Sequence, residues 1–142
     1  MTAYVHRVQY YETDRMGIAH HSNYIRWMEE ARVDLLARIG FPYEALERRG
    51  VISPVRSLQC KYLRSCTFGD DIEIEASVRD FNGVVLTLAY EMRDASDGGV
   101  VCRASSEHVF LNREGGFIRV RRDLPDFCAA IEALRAEGEV EK

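Results

Sequence analysis

The chain opens on a two-residue alternation. Tyr4, His6, Val8 and Tyr10 fall on one face and Val5, Arg7, Gln9 and Tyr11 on the other, which predicts a strand over residues 4–11. The alternation stops at Glu12. Residues 12–21 have no period, and Ser22-Asn23 then offers a side-chain cap for a helix. From Tyr24 the spacing turns helical: Tyr24, Trp27, Met28, Ala31, Leu35 and Ile39 recur every three or four residues, with Arg26, Glu30, Asp34 and Arg38 mostly opposite. Gly40 suits the C-terminal stop of this helix, and Pro42 opens a second, short one to about Arg49.

Beyond residue 50 the period returns to two. Residues 54–64 are strand-like, and over residues 72–79 Ile72, Ile74, Ala76 and Val78 alternate with Glu73, Glu75, Ser77 and Arg79, the pattern of a half-buried strand. Asn82-Gly83 predicts a hairpin into a strand with Val84, Leu86, Leu88, Tyr90 and Met92 on one face and Val85, Thr87, Ala89, Glu91 and Arg93 on the other. Asp97-Gly98-Gly99 turns into a strand from Val100 to Leu111, and a further turn at Glu114-Gly115-Gly116 precedes Phe117–Val120. A helix over 124–136 closes the pattern, and the Glu-rich tail from Glu137 is expected to fray. One strand, one long helix and an antiparallel meander give an α+β class, with the helix lying in the concave side of a curled sheet.

Composition narrows the function classes without choosing among them. At 142 residues, one core can bury roughly 70% of the extended surface, and no repeat, Pro-rich linker or charge block divides the chain, so a single domain over 1–142 with a core about 4–136 is expected. The formal charge of −4 lacks the basic footprint of a nucleic-acid binder. The longest uncharged apolar run, Val84–Tyr90, falls far short of the ~20 residues that span a bilayer, so no membrane insertion is expected. Met1–Arg7 lacks an apolar stretch of secretory type. Cys60, Cys66, Cys102 and Cys128 form no C-x-x-C pair; free thiols in a reducing cytoplasm are the expectation, although an even count permits two disulfides.

The candidate chemistry lies between Tyr10 and Tyr24. An aperiodic loop running into a helix start presents unpaired N–H groups and the positive end of the dipole, both suited to developing negative charge. Asp14, just upstream, is a candidate base or nucleophile, and Gly17 lets the backbone turn or approach a ligand closely. The same residues also fit a plain structural role, with Asp14 in an Asx-turn, Gly17 in a turn, and His20 and His21 as surface groups.

Asp14-x-x-Gly17-Ile18-x-x-His21-x-Asn23-Tyr24, followed by Trp27-Met28-Glu29-x-Ala31-Arg32, resembles the signature of the hotdog-fold acyl-CoA thioesterases. More narrowly, it is similar to the 4-hydroxybenzoyl-CoA thioesterase-like branch that includes the Tol-Pal-associated thioesterases. Weaker matches follow at Tyr62-Leu63-Arg64, Gly69-Asp70-Asp71-Ile72 and His108-Val109-Phe110-Leu111, so the resemblance covers about residues 4–112. It implies a hotdog fold, a long central helix wrapped by a five-stranded antiparallel sheet. It also implies homodimers assembling into a tetramer, with sites between subunits.

By the same resemblance Asp14 attacks the thioester or activates water, and the backbone N–H of His21 polarises the carbonyl. Gly17, Ile18 and Asn23 are the motif positions nearest the substrate. Tyr10 orients the site or else faces the core from the strand. Glu29 is the runner-up carboxylate, or a buried partner for an arginine. The chain departs from the family at Ser65, often proline, and at His20, often tyrosine, so acyl preference is not carried over.

The remaining constellations are weaker. His20, His21 and Asp14 lack a third histidine nearby for a metal set, no Gly-x-Ser-x-Gly elbow occurs, and no cysteine has a recognisably reactive setting. Arg56, Lys61 and Arg64, with Arg119, Arg121 and Arg122 later, are candidates for CoA phosphates or else line a solvated face. The expectation is a cytoplasmic acyl-CoA thioesterase without metal or redox cofactor. The alternatives are a thioesterase of acyl-carrier protein, a non-catalytic acyl-thioester binding or scaffold protein, and a hotdog dehydratase or hydratase.

Overall fold

The computed structural model describes residues 3–141; Met1, Thr2 and Lys142, the outermost residues of the polar N-terminal run and of the acidic tail, lie outside it. Strands β1 (Tyr4–Arg7), β2 (Val55–Tyr62), β3 (Asp71–Phe81), β4 (Val85–Asp94) and β5 (Val100–Val109) form one antiparallel sheet in the order β1-β3-β4-β5-β2. Helices α1 (Ser22–Arg38) and α2 (Tyr43–Arg48) separate β1 from β2, and a short α3 (Val120–Asp123) and α4 (Pro125–Glu141) follow β5. This is the hotdog arrangement, in class α+β.

The binary pattern explains the layering. Ile72, Ile74, Ala76 and Val78 of β3 and Leu86, Leu88, Tyr90 and Met92 of β4 are buried on one face, while Glu73, Glu75, Glu91 and Arg93 stand on the other. The apolar stripe of α1 (Tyr24, Trp27, Met28, Ala31, Leu35, Leu36) joins that face in one continuous core, and Phe127, Ile131 and Leu134 of α4 extend it. Burying Trp27 completely makes it an anchor of the helix, since truncating such a residue typically costs about 3–5 kcal/mol. Ile39 leads out of α1 and Gly40 takes a φ of +91°, a left-handed stop that a β-carbon would strain.

The structure departs from the sequence pattern in three places. β1 ends at Arg7, and Tyr10–Glu12 form a 3₁₀ turn, not the end of a strand, because Glu12 folds back and accepts the Gln9 N–H at 2.8 Å. Neither Ser22 nor Asn23 caps α1: the Ser22 N–H is taken by His20 Nδ1 at 3.2 Å, and Asn23 donates to the carbonyls of Glu12 (2.8 Å) and His20 (3.2 Å). Past β5, Phe117 makes a bridge to Leu111, and the Val120 N–H is taken by the Gly83 carbonyl at 2.9 Å as α3 begins. Finally, α4 runs on to Glu141, so the acidic tail continues the helix where fraying was expected. No helix among the described residues is long and apolar enough to cross a membrane.

Candidate active site

Between β1 and α1 the chain makes a tight loop whose conformation is set by its own residues. Thr13 bridges Ala19, the Asp14 N–H donates to the Ile18 carbonyl (3.0 Å), and the Gly17 N–H returns to the Asp14 carbonyl (2.9 Å). Gly17 has φ +79°, the conformation this reversal requires. Its carbonyl accepts the Thr67 hydroxyl at 2.7 Å, pinning the loop to the segment that leads into β3. Asp14 is half-buried; Oδ1 accepts the Met16 N–H at 2.8 Å as an Asx-turn, and Oδ2 has no hydrogen-bond partner among the described residues.

Asp14, Met16, Ile18, Ala19, His21 and Arg64, with Tyr24, Tyr62, Leu63 and Ser65, line one open cavity of about 320 Å³. The helix starts at its wall. The Asn23 and Tyr24 N–H groups turn back to His20 and His21, but the His21 N–H has no acceptor among the described residues. A carboxylate oxygen and a backbone donor at the positive end of α1 therefore share one cavity, an arrangement able to promote attack on a carbonyl and stabilise the resulting oxyanion.

The fold brings only some of the sequence candidates here. Asp14, Ile18, His21 and Arg64 line the cavity, and Gly17 shapes its loop. Asn23 is buried and spent on main-chain carbonyls. Tyr10 is 76% exposed and meets Phe68 edge-on at 5.7 Å, in neither the cavity nor the core. Glu29 lies eight residues after His21, about 12 Å along the helix, with its side chain 68% exposed; it is 4.0 Å from Arg32 and does not meet Asp14 within the chain. Arg56 lies 3.5 Å from Glu107, and Lys61 points to the polar outer face of the sheet beside Gln59, Glu75 and Arg103. Arg64 donates to both carboxylate oxygens of Asp97 at 2.9 and 3.0 Å, which fixes it at the cavity edge.

Two participants are given no role in the site by the sequence reading, although Tyr62 stands in one of its weaker matches. Tyr62 donates to the His21 carbonyl at 3.1 Å and packs edge-on against Tyr24. Burial, with the Cys60 thiol close by, pushes the Tyr62 hydroxyl up to about 12, so it remains a donor. The second is Glu12, buried beneath the loop. It accepts from the Trp27 indole N–H (2.8 Å) and the Gln9 N–H (2.8 Å) and pairs with His6 Nε2 (2.8 Å), whose Nδ1 faces Glu30 at 3.2 Å. A glutamate followed by an aperiodic loop carried no signal of burial.

The sequence profile of the thioesterase-like superfamily matches residues 8–134. The chain belongs to that superfamily. YneP of Bacillus subtilis strain 168, provisionally named as an acyl-CoA thioesterase, is 33% identical over 129 residues, covering 90% of this chain and 93% of its own. The 4-hydroxybenzoyl-CoA thioesterase of Pseudomonas sp. strain CBS-3 is 23% identical over 132 residues, 87% of this chain and 94% of that one. Among solved structures, a DHNA-CoA thioesterase from Staphylococcus aureus superposes with a TM-score of 0.92 at 28% identity, covering 99% of this chain and 95% of that one.

In this thioesterase-like chain Glu12 ties the loop to α1, which makes it testable apart from the chemistry. Burial opposes its ionisation, but the donors from Gln9, His6 and Trp27 outweigh burial and hold its carboxyl below the usual range. Glu12→Gln is expected to lower unfolding free energy by about 1–3 kcal/mol at pH 7, read from the denaturant midpoint. Because the folded-state pKa is depressed, this contribution is complete above the unfolded value of 4.5 and is lost as pH falls through the folded one. The gap between wild type and variant should therefore narrow in acid.

Proposed function

We propose that the chain hydrolyses acyl-CoA thioesters to free CoA and a carboxylic acid, with Asp14 as nucleophile or general base and the His21 N–H polarising the carbonyl. The observation that carries this reading is the juxtaposition of an Asp14 carboxylate oxygen and an unpaired His21 N–H on one cavity. The thioester carbonyl oxygen sits at the helix start, so that attack loads negative charge where the backbone donor and dipole act on it. With Asp14 as general base, it takes a proton from the attacking water, and collapse of the tetrahedral species breaks the C–S bond and passes that proton to the departing thiolate. With Asp14 as nucleophile, collapse leaves an acyl–aspartyl anhydride and a thiolate. Water then hydrolyses the anhydride to the carboxylic acid and regenerates the carboxylate, and the proton that water releases goes to the thiolate. This chemistry draws on a carboxylate and a backbone donor and calls for no metal or redox cofactor. The names of the relatives, which include acyl-CoA, 4-hydroxybenzoyl-CoA and DHNA-CoA thioesterases, support the substrate class.

Arg64 is the basic residue best placed at this cavity for a CoA phosphate, while Arg56 and Lys61 would reach one only through a second subunit. A second copy is part of the proposal. β2 is an edge strand with Val55, Leu58 and Tyr62 exposed, Val55 and Leu58 beside Ile25 of α1, an apolar face suited to burial between protomers that pair as dimers and then tetramers. Its four free cysteines fit a reducing cytoplasm. The test is thiol release from a panel of aliphatic and aromatic acyl-CoAs. Turnover of at least one member is expected. No turnover of any member, with hydrolysis of an acyl-carrier-protein thioester instead, would move the substrate to that carrier. Binding without hydrolysis of either would make the chain a binding or scaffold protein.

A further inference from the structure

A second cavity, of about 50 Å³, lies farther along the same groove between α1 and the β2–β5 edge. It adjoins the first: Tyr24 lines one and Ile25 and Met28 the other, while on β2 Cys60, with Sγ 3.5 Å from Met28 Sδ, lies between Tyr62 and Leu58. Its mouth, on the face proposed above to meet a second protomer, is apolar, formed by Ile25, Val55 and Leu58 with the buried Met28 behind them, but its walls carry Arg32, Tyr90, Ser106 and His108, with Glu29 at the rim.

These polar groups are buried and under-used. His108 is 1% exposed, and its Nδ1 has no hydrogen-bond partner among the described residues. Tyr90 Oη lies 2.8 Å from Ser106 Oγ, which lies 2.6 Å from His108 Nε2. With Tyr90 donating to Ser106 and Ser106 donating to Nε2, the proton of the neutral imidazole resides on Nδ1. Arg32 is 5% exposed and satisfies little of its guanidinium: one donor reaches the Ser53 carbonyl at 3.4 Å, the plane lies over the Tyr43 ring at 5.0 Å, and its nearest carboxylate, the solvent-exposed Glu29, is 4.0 Å away. Burial and the Arg32 charge hold His108 down to about 3, so it stays neutral at physiological pH. A buried cation and an imidazole N–H, both short of acceptors, form a donor-lined end to an apolar groove.

We propose that this cavity receives a carboxylate at the far end of the acyl group, making CoA monothioesters of dicarboxylic acids a preferred substrate class; the inference rests on the thioesterase reading. At about 50 Å³ it admits a carboxylate and excludes an aromatic ring, which needs a cavity nearer ~150 Å³. The incoming carboxylate replaces Glu29 on Arg32. Met28 and Arg32 lie seven and eleven residues beyond His21, or about 10 and 16 Å along the helix, which an extended acyl chain spans with roughly eight to twelve carbons at about 1.3 Å each.

The experiment compares kcat/KM for the mono-CoA thioester of decanedioic acid with that for decanoyl-CoA, a substrate of equal length without the carboxylate. Wild type is expected to favour the former by about tenfold or more. In Arg32→Met the ratio should collapse toward one, chiefly through KM, and Arg32→Lys should restore part of it. Ser106→Ala, a milder change that releases His108, should lower the ratio severalfold. Equal kcat/KM values in wild type overturn the proposal, as do variants that slow both substrates alike, because a merely structural role leaves the ratio untouched. Thiol release from decanoyl-CoA without a preference refutes only this inference; absence of release from every acyl-CoA refutes the thioesterase reading and removes this inference with it.

Discussion

Asp14→Asn is expected to reduce acyl-CoA hydrolysis by roughly 10²–10⁴-fold while leaving the structure in place. Asparagine keeps the oxygen that accepts the Met16 N–H at 2.8 Å, so the Asx-turn and the loop around Gly17 survive the change. What it removes is the negative charge at the cavity, including the oxygen that has no hydrogen-bond partner among the described residues. Unchanged melting temperature with lost thiol release would locate the effect in the chemistry. Turnover near the wild-type rate would reject Asp14 as the carboxylate of the reaction and turn attention to Glu29 from a neighbouring subunit.

The second large effect tests a backbone atom. His21→Pro deletes the N–H and is expected to slow hydrolysis by about 10²–10³-fold, the usual consequence of removing one oxyanion donor. Proline is tolerable at this position because His21 already has φ −57° and its N–H serves no acceptor in the fold. His21→Ala is the necessary partner experiment: it removes the imidazole, which is exposed and meets the rings of His20 and Tyr62, but retains the N–H. A large loss in the proline variant with a small one in alanine assigns the effect to the backbone. Equal losses in both would assign it to the imidazole.

How much of this was legible in the chain varies by element. Helix α1 and strands β3 and β4 announce themselves because one face of each is buried and the other solvated, so the period of the fold is printed in side-chain polarity. Tyr10 and Tyr11 continue the alternation of β1, yet the backbone has already turned at Glu12; local pattern cannot register a carboxylate that folds back to Gln9 and Trp27.

The candidate site divides along the same line. Asp14, Gly17, Ile18 and His21 are neighbours in sequence, and a short loop ending at a helix start holds them together whatever the rest of the chain does, so their spacing alone determined that they form one unit. Arg56, Lys61 and Arg64 look equivalent as text, but the pleat turns Lys61 to the outer face, Arg56 sits near the far end of β2, and only Arg64 reaches the cavity. The Tyr62–His21 contact and the Arg32–His108 pocket are assembled from residues dozens of positions apart, and Glu12, though nearer its partners, joins β1, the loop and Trp27 of α1. Sequence determined the elements and the local loop because burial periodicity and turn chemistry act over a few residues. Which side chains share a cavity, and which polar groups are left without partners inside it, was decided only when the sheet closed around α1.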